Sequence, residues 1–259
     1  MLMLKEQLYA WRSVIFALFL RELQRKFNDK FGLSWAFLEP FVFISALSVL
    51  RSVISGTDAH GLPVTIFMIV GMVVLQLFTS TLQSVSISIR RNKPLYAFRQ
   101  VQPISAILTA GFVELVIKVI VIAMLIVTVI LLGIEVNVSN TLALICLFFS
   151  VWIFSVSTGL IFGIAAAFVP EVDKIKSLIT KPLMFISCVF YSLQDIPEEY
   201  WYLLAWNPLV HFIELSRYAI LESYGDKGVS VEYVFSAVVL GLFFSLALYH
   251  LTWRKVLAR

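Results

Sequence analysis

The sequence QDIPEEYWYLLAWNPLVHFIELSRYAILESYGDKGVSVE, at Gln194–Glu232, decides the fold because it separates two apolar segments without being a span itself. Asn207-Pro208 interrupts it, and a residue before proline is disfavoured in the α region. Each half has about a dozen residues, whereas a helix needs ~20 to cross a bilayer. The pattern predicts two short amphipathic, re-entrant helices that enter the membrane against protein or a cavity. An extracellular loop with interfacial Tyr and Trp residues is the alternative.

The composition is that of an integral membrane protein. Of the 259 residues, 60% are hydrophobic and 14% are charged, whereas a soluble globular chain has roughly 25% charged residues. The length predicts a single membrane domain over 1–259. No P-loop pattern is present, so any ATP-driven step needs a separate chain. Cys146 and Cys188 lie in apolar runs, which predicts small hydrophobic residues and not a disulfide or metal pair.

Six apolar spans predict an all-α integral membrane fold with six transmembrane helices. They cover 33–50, 63–89, 104–133, 141–169, 178–193 and 233–252. The basic, aromatic segment 1–32 before them predicts an amphipathic helix in the cytoplasmic membrane interface. The outer re-entrant stretch is 194–232, and the last segment, 233–259, holds span six and a cytoplasmic tail.

Polar residues recur at helical spacing in the otherwise charge-free second span. They are Gln76, Thr79, Ser80, Gln83 and Ser86. Such a face avoids lipid and therefore faces a neighbouring helix or a pore.

The third and fourth spans each carry a pattern with a packing interpretation. Glu114 and Lys118 are four residues apart with the glutamate first, which favours a helical ion pair; a role with substrate is the alternative. The fourth span carries small residues every fourth position, which allow close helix approach. They are Ser155, Gly159, Gly163 and Ala167.

The distribution of positive charge predicts the topology. Sixteen of the 20 Lys and Arg residues lie in 1–32, 90–103, 170–181 or the C-terminal tail. The positive-inside rule then puts both termini in the cytoplasm and 194–232 outside.

Aromatic residues are candidates for a sugar route, because the C–H faces of sugars stack on aromatic rings; interface anchoring is the alternative. The candidates are Trp35, Phe37, Trp152, Tyr191, Trp201 and Trp206. Trp206 is predicted to be an internal wedge beside the exit. The histidines His60, His211 and His250 lack metal-site spacing. Neither G-x-S-x-G nor H-E-x-x-H occurs, but an integral membrane enzyme acting on lipid-linked sugars stays open.

Five motifs resemble those of a known family. They are ALFLRELQRKF at 17–27, LSWAFLEP at 33–40, LYAFRQVQPI at 95–104, FVPEVDKIKSLITKPLMFIS at 168–187 and IPEEYWYLLAWNPLVHFIELSR at 196–217. Together they resemble the membrane permease of an ABC type-2 exporter, in the capsular polysaccharide (KpsM-type) and O-antigen export group. The last two motifs are the most specific.

The resemblance implies a transport permease of the bacterial inner membrane, not an enzyme. It implies a homodimer with two copies of a cytoplasmic ATPase subunit, which would hold ATP and magnesium while this chain binds no cofactor. The substrate would be a lipid-linked anionic capsular polysaccharide, passed to envelope-spanning export proteins. No nucleic acid or metal is expected. Another lipid-linked glycan, such as O-antigen or teichoic acid, is an alternative substrate.

Three groups of residues are the candidate sites. The substrate pathway would use Trp35, Gln76, Ser80, Gln83, Trp152, Tyr191, Trp201 and Trp206. The substrate entrance would use Arg90, Arg91, Lys93 and Arg99. By the resemblance, contact with the ATPase would use Arg21, Arg25, Leu95, Tyr96, Pro170, Glu171 and Asp173.

Overall fold

The computed structural model describes residues 2–27, 32–55, 58–98, 101–135 and 137–258, and most of these are helical. The helices are α1 (Leu2–Phe27), α2 (Gly32–Ser55), α3 (Val64–Arg91), α4 (Pro103–Leu131), α5 (Thr141–Phe168), α6 (Val172–Thr180), α7 (Leu183–Ile186), α8 (Tyr202–Ala205), α9 (Pro208–Ile220) and α10 (Val231–Ala258). Two short strands, β1 (Asp58–Ala59) and β2 (Leu62–Pro63), form an antiparallel hairpin between α2 and α3.

Four of the described helices are long and apolar enough to cross a membrane: α3, α4, α5 and α10. The helix α2 contains a shorter apolar stretch, Phe41–Val53. These elements confirm an all-α membrane protein. The predicted number of six crossings stays a prediction.

The helix α3 is the central element of the bundle. Of its most apolar 18 residues, 72% are buried inside the chain, against 17% for α10. It packs between α2, α4, α5 and α9. Its side chains Met72 and Leu77 are almost fully buried in one cluster with Val113 of α4, Val151 of α5 and Phe212 of α9. Because α3 has no charged residue before Arg90, it can be surrounded by other helices without the free-energy cost of burying a charge.

The predicted small-residue stripe on α5 is confirmed as a packing surface against α3. A Cβ on Gly159 would lie 2.8 Å from Val85 Cβ. A Cβ on Gly163 would lie 3.0 Å from the Ser86 carbonyl oxygen. Because neither distance leaves room for a side chain, glycine at both positions lets the two helices approach closely.

The fifth span, 178–193, is predicted to be interrupted early by Pro182, and the structure has this break, but the helix after it ends at Ile186 instead of Leu193. The α6 helix ends at Thr180, and Pro182 precedes the single turn of α7. Proline inside a helix removes a donor and clashes with the preceding turn. The segment still runs along α3. Lys176 Nζ lies 2.6 Å from Ser86 Oγ, and Val189 lies against Gly71. Gly71 and Ser86 are 15 residues apart on α3, which corresponds to a helical rise of ~22 Å.

The first predicted helix of the outer stretch is wrong. Ser192 and Asp195 cap each other, which closes a 3₁₀ turn at Leu193–Asp195. Pro197 precedes a second 3₁₀ turn, and α8 has only four residues. Short turns, of which the first is capped by its own side chains, replace a twelve-residue helix here.

The second helix of the outer stretch is present as α9. Pro208 occupies its first turn, and the Asn207 side chain accepts a hydrogen bond from Leu209 N at 3.1 Å. Both are favourable helix-start features. The helix is buried, and the Phe212 ring lies 5.9 Å from that of Phe154, near the middle of α5. Its position relative to a bilayer stays a prediction.

The predicted outer loops meet at one end of the bundle. His60 in the β-hairpin lies 2.7 Å from the Asp195 carboxylate, and Ser139 N donates to Ile220 O at 3.0 Å. Contacts at the other end join predicted cytoplasmic segments: Arg90 pairs with Asp173. This grouping agrees with the predicted alternation of loops, while the side assigned to each group stays a prediction.

The helix α1 lies across the predicted cytoplasmic end. The Trp11 indole donates to Ser105 Oγ in the first turn of α4, at 2.9 Å. Further along, Glu22 pairs with Arg91 in the last turn of α3. Both contacts are at the same end of the bundle, as expected for the predicted interfacial helix, whose depth in lipid stays a prediction.

The side assignment can be tested with single cysteines. Lys93→Cys and Lys227→Cys, each in a Cys146→Ala background, place exposed thiols at opposite ends of the bundle, while Cys188 is fully buried. We expect an impermeant thiol reagent to label only the second variant in intact spheroplasts and both after lysis. The Cys146→Ala parent is the control. Equal labelling of both thiols in intact spheroplasts would contradict the predicted topology.

Close packing of α5 on α3 can be tested with one methyl group. Gly163→Ala puts a Cβ against Ser86 backbone atoms at 3.0 and 3.2 Å. Overpacking of this kind typically lowers the free energy of unfolding by about 1–3 kcal/mol. In the control Gly241→Ala, the nearest atom lies 3.6 Å away. We expect only Gly163→Ala to lower the melting temperature and folded yield in detergent. Equal stability of both variants would mean that the helices can separate at little cost.

Candidate translocation surface

The polar face of α3 opens onto a cavity of about 600 Å³. The cavity is lined by Lys26, Phe43, Gln76, Thr79, Ser80, Gln83, Ser84, Glu114, Ile117 and Lys118. The structure therefore brings together the three predicted pathway residues of α3, Gln76, Ser80 and Gln83. Ser86, the last residue of the predicted polar face, instead accepts a hydrogen bond from Lys176 at 2.6 Å.

The ion pair predicted between Glu114 and Lys118 is wrong. Glu114 pairs with Lys26 of α1 and accepts a hydrogen bond from Ser84. Lys118 Nζ donates to Gln76 Oε1 at 3.1 Å. A partner on another helix satisfies the carboxylate, which helical spacing alone could not indicate.

Two of the hydroxyl groups in the cavity, those of Thr79 and Ser80, donate to carbonyl groups of their own helix. Ser80 Oγ donates to Gln76 O at 2.6 Å, and Thr79 Oγ1 donates to Leu75 O at 2.9 Å. Their hydroxyl protons are used in these bonds, while their lone pairs remain available as acceptors. The cavity wall therefore presents acceptors, amide groups and ammonium groups together.

The four aromatic pathway candidates whose side chains are described, Trp152, Tyr191, Trp201 and Trp206, do not line this cavity. The Trp152 indole donates to Gly111 O at 2.8 Å and packs α5 on α4. Tyr191 Oη donates to Phe185 O at 2.6 Å, and Trp201 Nε1 donates to Ile196 O at 2.8 Å. Within this single chain 64% of Trp206 is exposed, so the residue is not packed inside its own subunit; its predicted role as a wedge beside the exit stays a prediction. The side chain of Trp35 lies outside the described residues.

A polar network joins α3 and α6 at the predicted cytoplasmic end. The Asp173 carboxylate accepts hydrogen bonds from Arg90 at 2.7 Å and from Lys176 at 3.1 Å. Burial alone would raise the pKa of Asp173, but these two hydrogen bonds lower it overall. The carboxylate thus stays ionised at neutral pH and holds α6 to the end of α3.

A second carboxylate, Glu22, joins α1 to the same end. It pairs with Arg25 on its own helix and with Arg91 of α3, both at 2.7 Å. The other predicted coupling and entrance positions are partly or largely accessible: they are Arg21, Lys93, Leu95, Tyr96, Pro170 and Glu171. Arg99 lies outside the described residues.

The most connected polar residue of the half with the predicted outer loops, Arg217, was not predicted as a site. Its side chain is fully buried and pairs with Glu214 at 2.8 Å. The guanidinium also donates to the carbonyl oxygens of Cys188 and Val189, each at 2.9 Å, and lies 3.4 Å from the centre of the Phe67 ring. One cation therefore joins α9, the segment after α7 and the start of α3.

The partners of Glu214 complete this network. Its carboxylate lies 2.8 Å from Tyr224 Oη and accepts a hydrogen bond from Ser192 Oγ at 3.1 Å. Gly71 leaves the space for the guanidinium, because a Cβ there would lie 3.0 Å from Arg217 Nη2. The sequence signal for this site was Glu214 and Arg217 three residues apart on a largely apolar helix.

These features define the class of the protein. It is an integral membrane bundle with an open cavity, lined by polar and apolar side chains, and with basic residues concentrated at one end. The chain belongs to the ABC-2 type transporter family, whose model matches residues 13–221. Membership of this transporter family favours a transport function over the alternative of a membrane enzyme.

Individual relatives are similar over nearly their whole length. A polysialic acid transport protein KpsM of Escherichia coli is 34% identical over 90% of this chain and 91% of that protein. The capsule polysaccharide export inner-membrane protein BexB of Haemophilus influenzae is 23% identical over 92% of this chain and 89% of that protein. These matches confirm the predicted resemblance to KpsM-type permeases.

Removal of the buried guanidinium is expected to be strongly destabilising. Arg217→Met leaves Glu214 as an uncompensated buried charge, and breaking a buried pair in this way costs about 3–5 kcal/mol. We expect a large loss of folded protein and a lower melting temperature in detergent. Arg254→Met, which removes an exposed arginine, is the matched control. Similar stability of the two variants would contradict the structural role of Arg217.

Proposed function

We propose that this chain is the membrane-spanning subunit of an ATP-driven exporter that moves a lipid-linked, anionic capsular polysaccharide across the inner membrane. The observation that carries the proposal is the 34% identity to a polysialic acid transport protein over 90% of the chain. Membership of the ABC-2 type transporter family supports it. Both termini would lie in the cytoplasm, as the positive-inside rule predicts.

The polymer would move along the polar face of α3. Support comes from the cavity of about 600 Å³, whose wall includes Gln76, Ser80 and Gln83. Polar side chains inside a membrane bundle are retained where they face a cavity or a partner helix. Trp35, Trp152, Tyr191, Trp201 and Trp206 remain candidates for a longer route, which a second copy of the chain would complete.

The second copy of the chain would form a homodimer with the first, and the exposed position of Trp206 indicates where the two copies or the polymer would meet. In the homodimer, Trp206 would contact the partner subunit or the polymer, because a 64% exposed indole has little packing within its own chain. The stretch 194–225 would be re-entrant from the outer side. Support for this comes from the burial of α9 and from its ring contact with the middle of α5.

Two copies of a separate ATPase subunit would bind at the basic end. Arg90, Arg91, Lys93 and Arg99 would attract the polyanion there, while Arg21, Arg25, Leu95, Tyr96, Pro170, Glu171 and Asp173 would contact the ATPase. The ion pairs that join α1 and α6 to the end of α3 support this assignment, because they could transmit a movement of the ATPase to α3. ATP and magnesium would be held by that partner. Envelope-spanning proteins would receive the polymer outside.

The direct test is complementation of a capsule-forming host that lacks its own permease. We expect this chain, expressed with its ATPase, to restore surface polysaccharide normalised to permease in the membrane, and a catalytically inactive ATPase to abolish it. Polymer that stays inside cells containing the chain and its active ATPase would contradict the proposal. Turnover of lipid-linked sugars by the purified chain alone would support the enzyme alternative, and export of O-antigen or teichoic acid instead would change the substrate.

Coupling to the ATPase is best tested at Glu171. This residue is exposed and makes no capping hydrogen bond to α6, whereas Asp173 also holds Arg90 and Lys176. We therefore expect Glu171→Ala to lower export several-fold at unchanged permease abundance. Glu222→Ala, an exposed acid at the opposite end, should export normally. Normal export and ATPase binding by Glu171→Ala would mean that this loop does not contact the ATPase.

A further inference from the structure

Among the side chains that the structure describes, Lys118 is the charged group of the α3 cavity that has no carboxylate partner of its own. Only 4% of the residue is exposed, and Nζ donates to the neutral Gln76 amide oxygen at 3.1 Å. The one carboxylate among the cavity-lining residues, Glu114, is held by Lys26 and Ser84. The lining residues therefore carry two ammonium groups for one carboxylate, a net charge of +1.

A buried ammonium group within a membrane bundle needs a compensating feature. Burial of an ion without a partner costs several kcal/mol, so charged residues inside spans face cavities, ions or ligands. Lys118 lies on the wall of a cavity of about 600 Å³, which falls within the roughly 300–1,000 Å³ typical of ligand sites. The surplus charge is therefore placed where an anionic ligand could reach it.

The rest of the cavity wall fits a sugar unit. Gln83 contributes an amide group, and the hydroxyl oxygens of Thr79 and Ser80 keep lone pairs for sugar hydroxyl donors. Phe43 and Ile117 contribute apolar surface for sugar C–H groups. This combination of a few polar groups on a partly apolar wall is typical of small-molecule sites.

We propose that Lys118, with the Gln76 amide beside it, binds the carboxylate of an acidic sugar unit as the polymer passes α3. The proposal rests on the proposed function and adds a charge-selective site to it. Glu114 neutralises Lys26, so each subunit offers one surplus cation. A single cation favours entry of a polyanion without holding it, which a conducting site requires.

Binding of a short polysialic acid oligomer and of its methyl ester to the full-length chain in neutral-lipid nanodiscs tests this site. The ester keeps the sugar but removes the negative charge. We expect the wild-type chain to bind the acid about tenfold more tightly than the ester, a difference of about 1.4 kcal/mol. Lys118→Gln should lose this preference, and Lys118→Arg should keep most of it. Lys227→Gln, an exposed lysine at the outer end, is the control and should match wild type.

The possible outcomes separate this site from the function it rests on. An acid preference that persists in Lys118→Gln, or that is absent in the wild-type chain, overturns the site. Equal loss of acid and ester binding by folded Lys118→Gln also overturns it, because that result indicates a structural role. If the chain exports polysaccharide in cells but shows no acid-selective binding in nanodiscs, only the Lys118 site is rejected. If it binds the acid selectively but does not export polysaccharide, the proposed function is rejected.

Discussion

The buried guanidinium of Arg217 is the constraint on which the half of the structure with the predicted outer loops depends. An unpaired charge in this environment would cost several kcal/mol, so the chain must bring acceptors to it. Glu214 supplies a carboxylate, while Cys188 and Val189 supply carbonyl oxygens. Carbonyl groups that point at a guanidinium are not available to continue a helix, and Cys188 has a φ of 56°. The arginine therefore accounts for the absence of a helix after α7 and for the inward position of α9.

The helix α3 connects this network with the cavity and with the basic end. Near its outer end, Gly71 leaves room for Arg217. In its middle, one face packs against the glycines of α5 while another carries the polar residues of the cavity. At its last turn, Arg90 and Arg91 bind the carboxylates of α6 and α1. Because the same rigid helix carries all of these contacts, displacement of α1 or α6 would also displace the cavity wall.

Features that depend on one segment of sequence could be predicted. The long apolar helices follow from length and hydropathy. The α5 packing surface follows from small residues at a spacing of four, and the start of α9 follows from Asn207-Pro208. The polar face of α3 was also evident, because five polar residues in a charge-free span recur on one side.

Features that depend on a distant partner could not be predicted. Helical spacing favoured Lys118 as the partner of Glu114, but Lys26, from a helix far away in sequence, forms the pair. The turn at 193–195 depends on the mutual capping of Ser192 and Asp195. The absence of a helix after Ile186 depends on the carbonyl groups that Arg217 binds. The aromatic candidates were chosen by residue type, which does not indicate whether an indole packs between helices, as Trp152 does, or lies exposed, as Trp206 does.

A double-mutant cycle on Glu214→Leu and Arg217→Met tests most directly whether Arg217 organises the half with the predicted outer loops. If the two residues formed only an ion pair, the double variant would regain most of the lost stability, because apolar replacement of a buried pair is often neutral or stabilising by about 1–4 kcal/mol. Here the carbonyl oxygens of Cys188 and Val189 would still lack the guanidinium that donates to them. The account predicts that the double variant regains only part of the stability lost in Arg217→Met, because the buried charge of Glu214 is gone while the carbonyl oxygens stay without a donor. Recovery of wild-type stability by the double variant would contradict it.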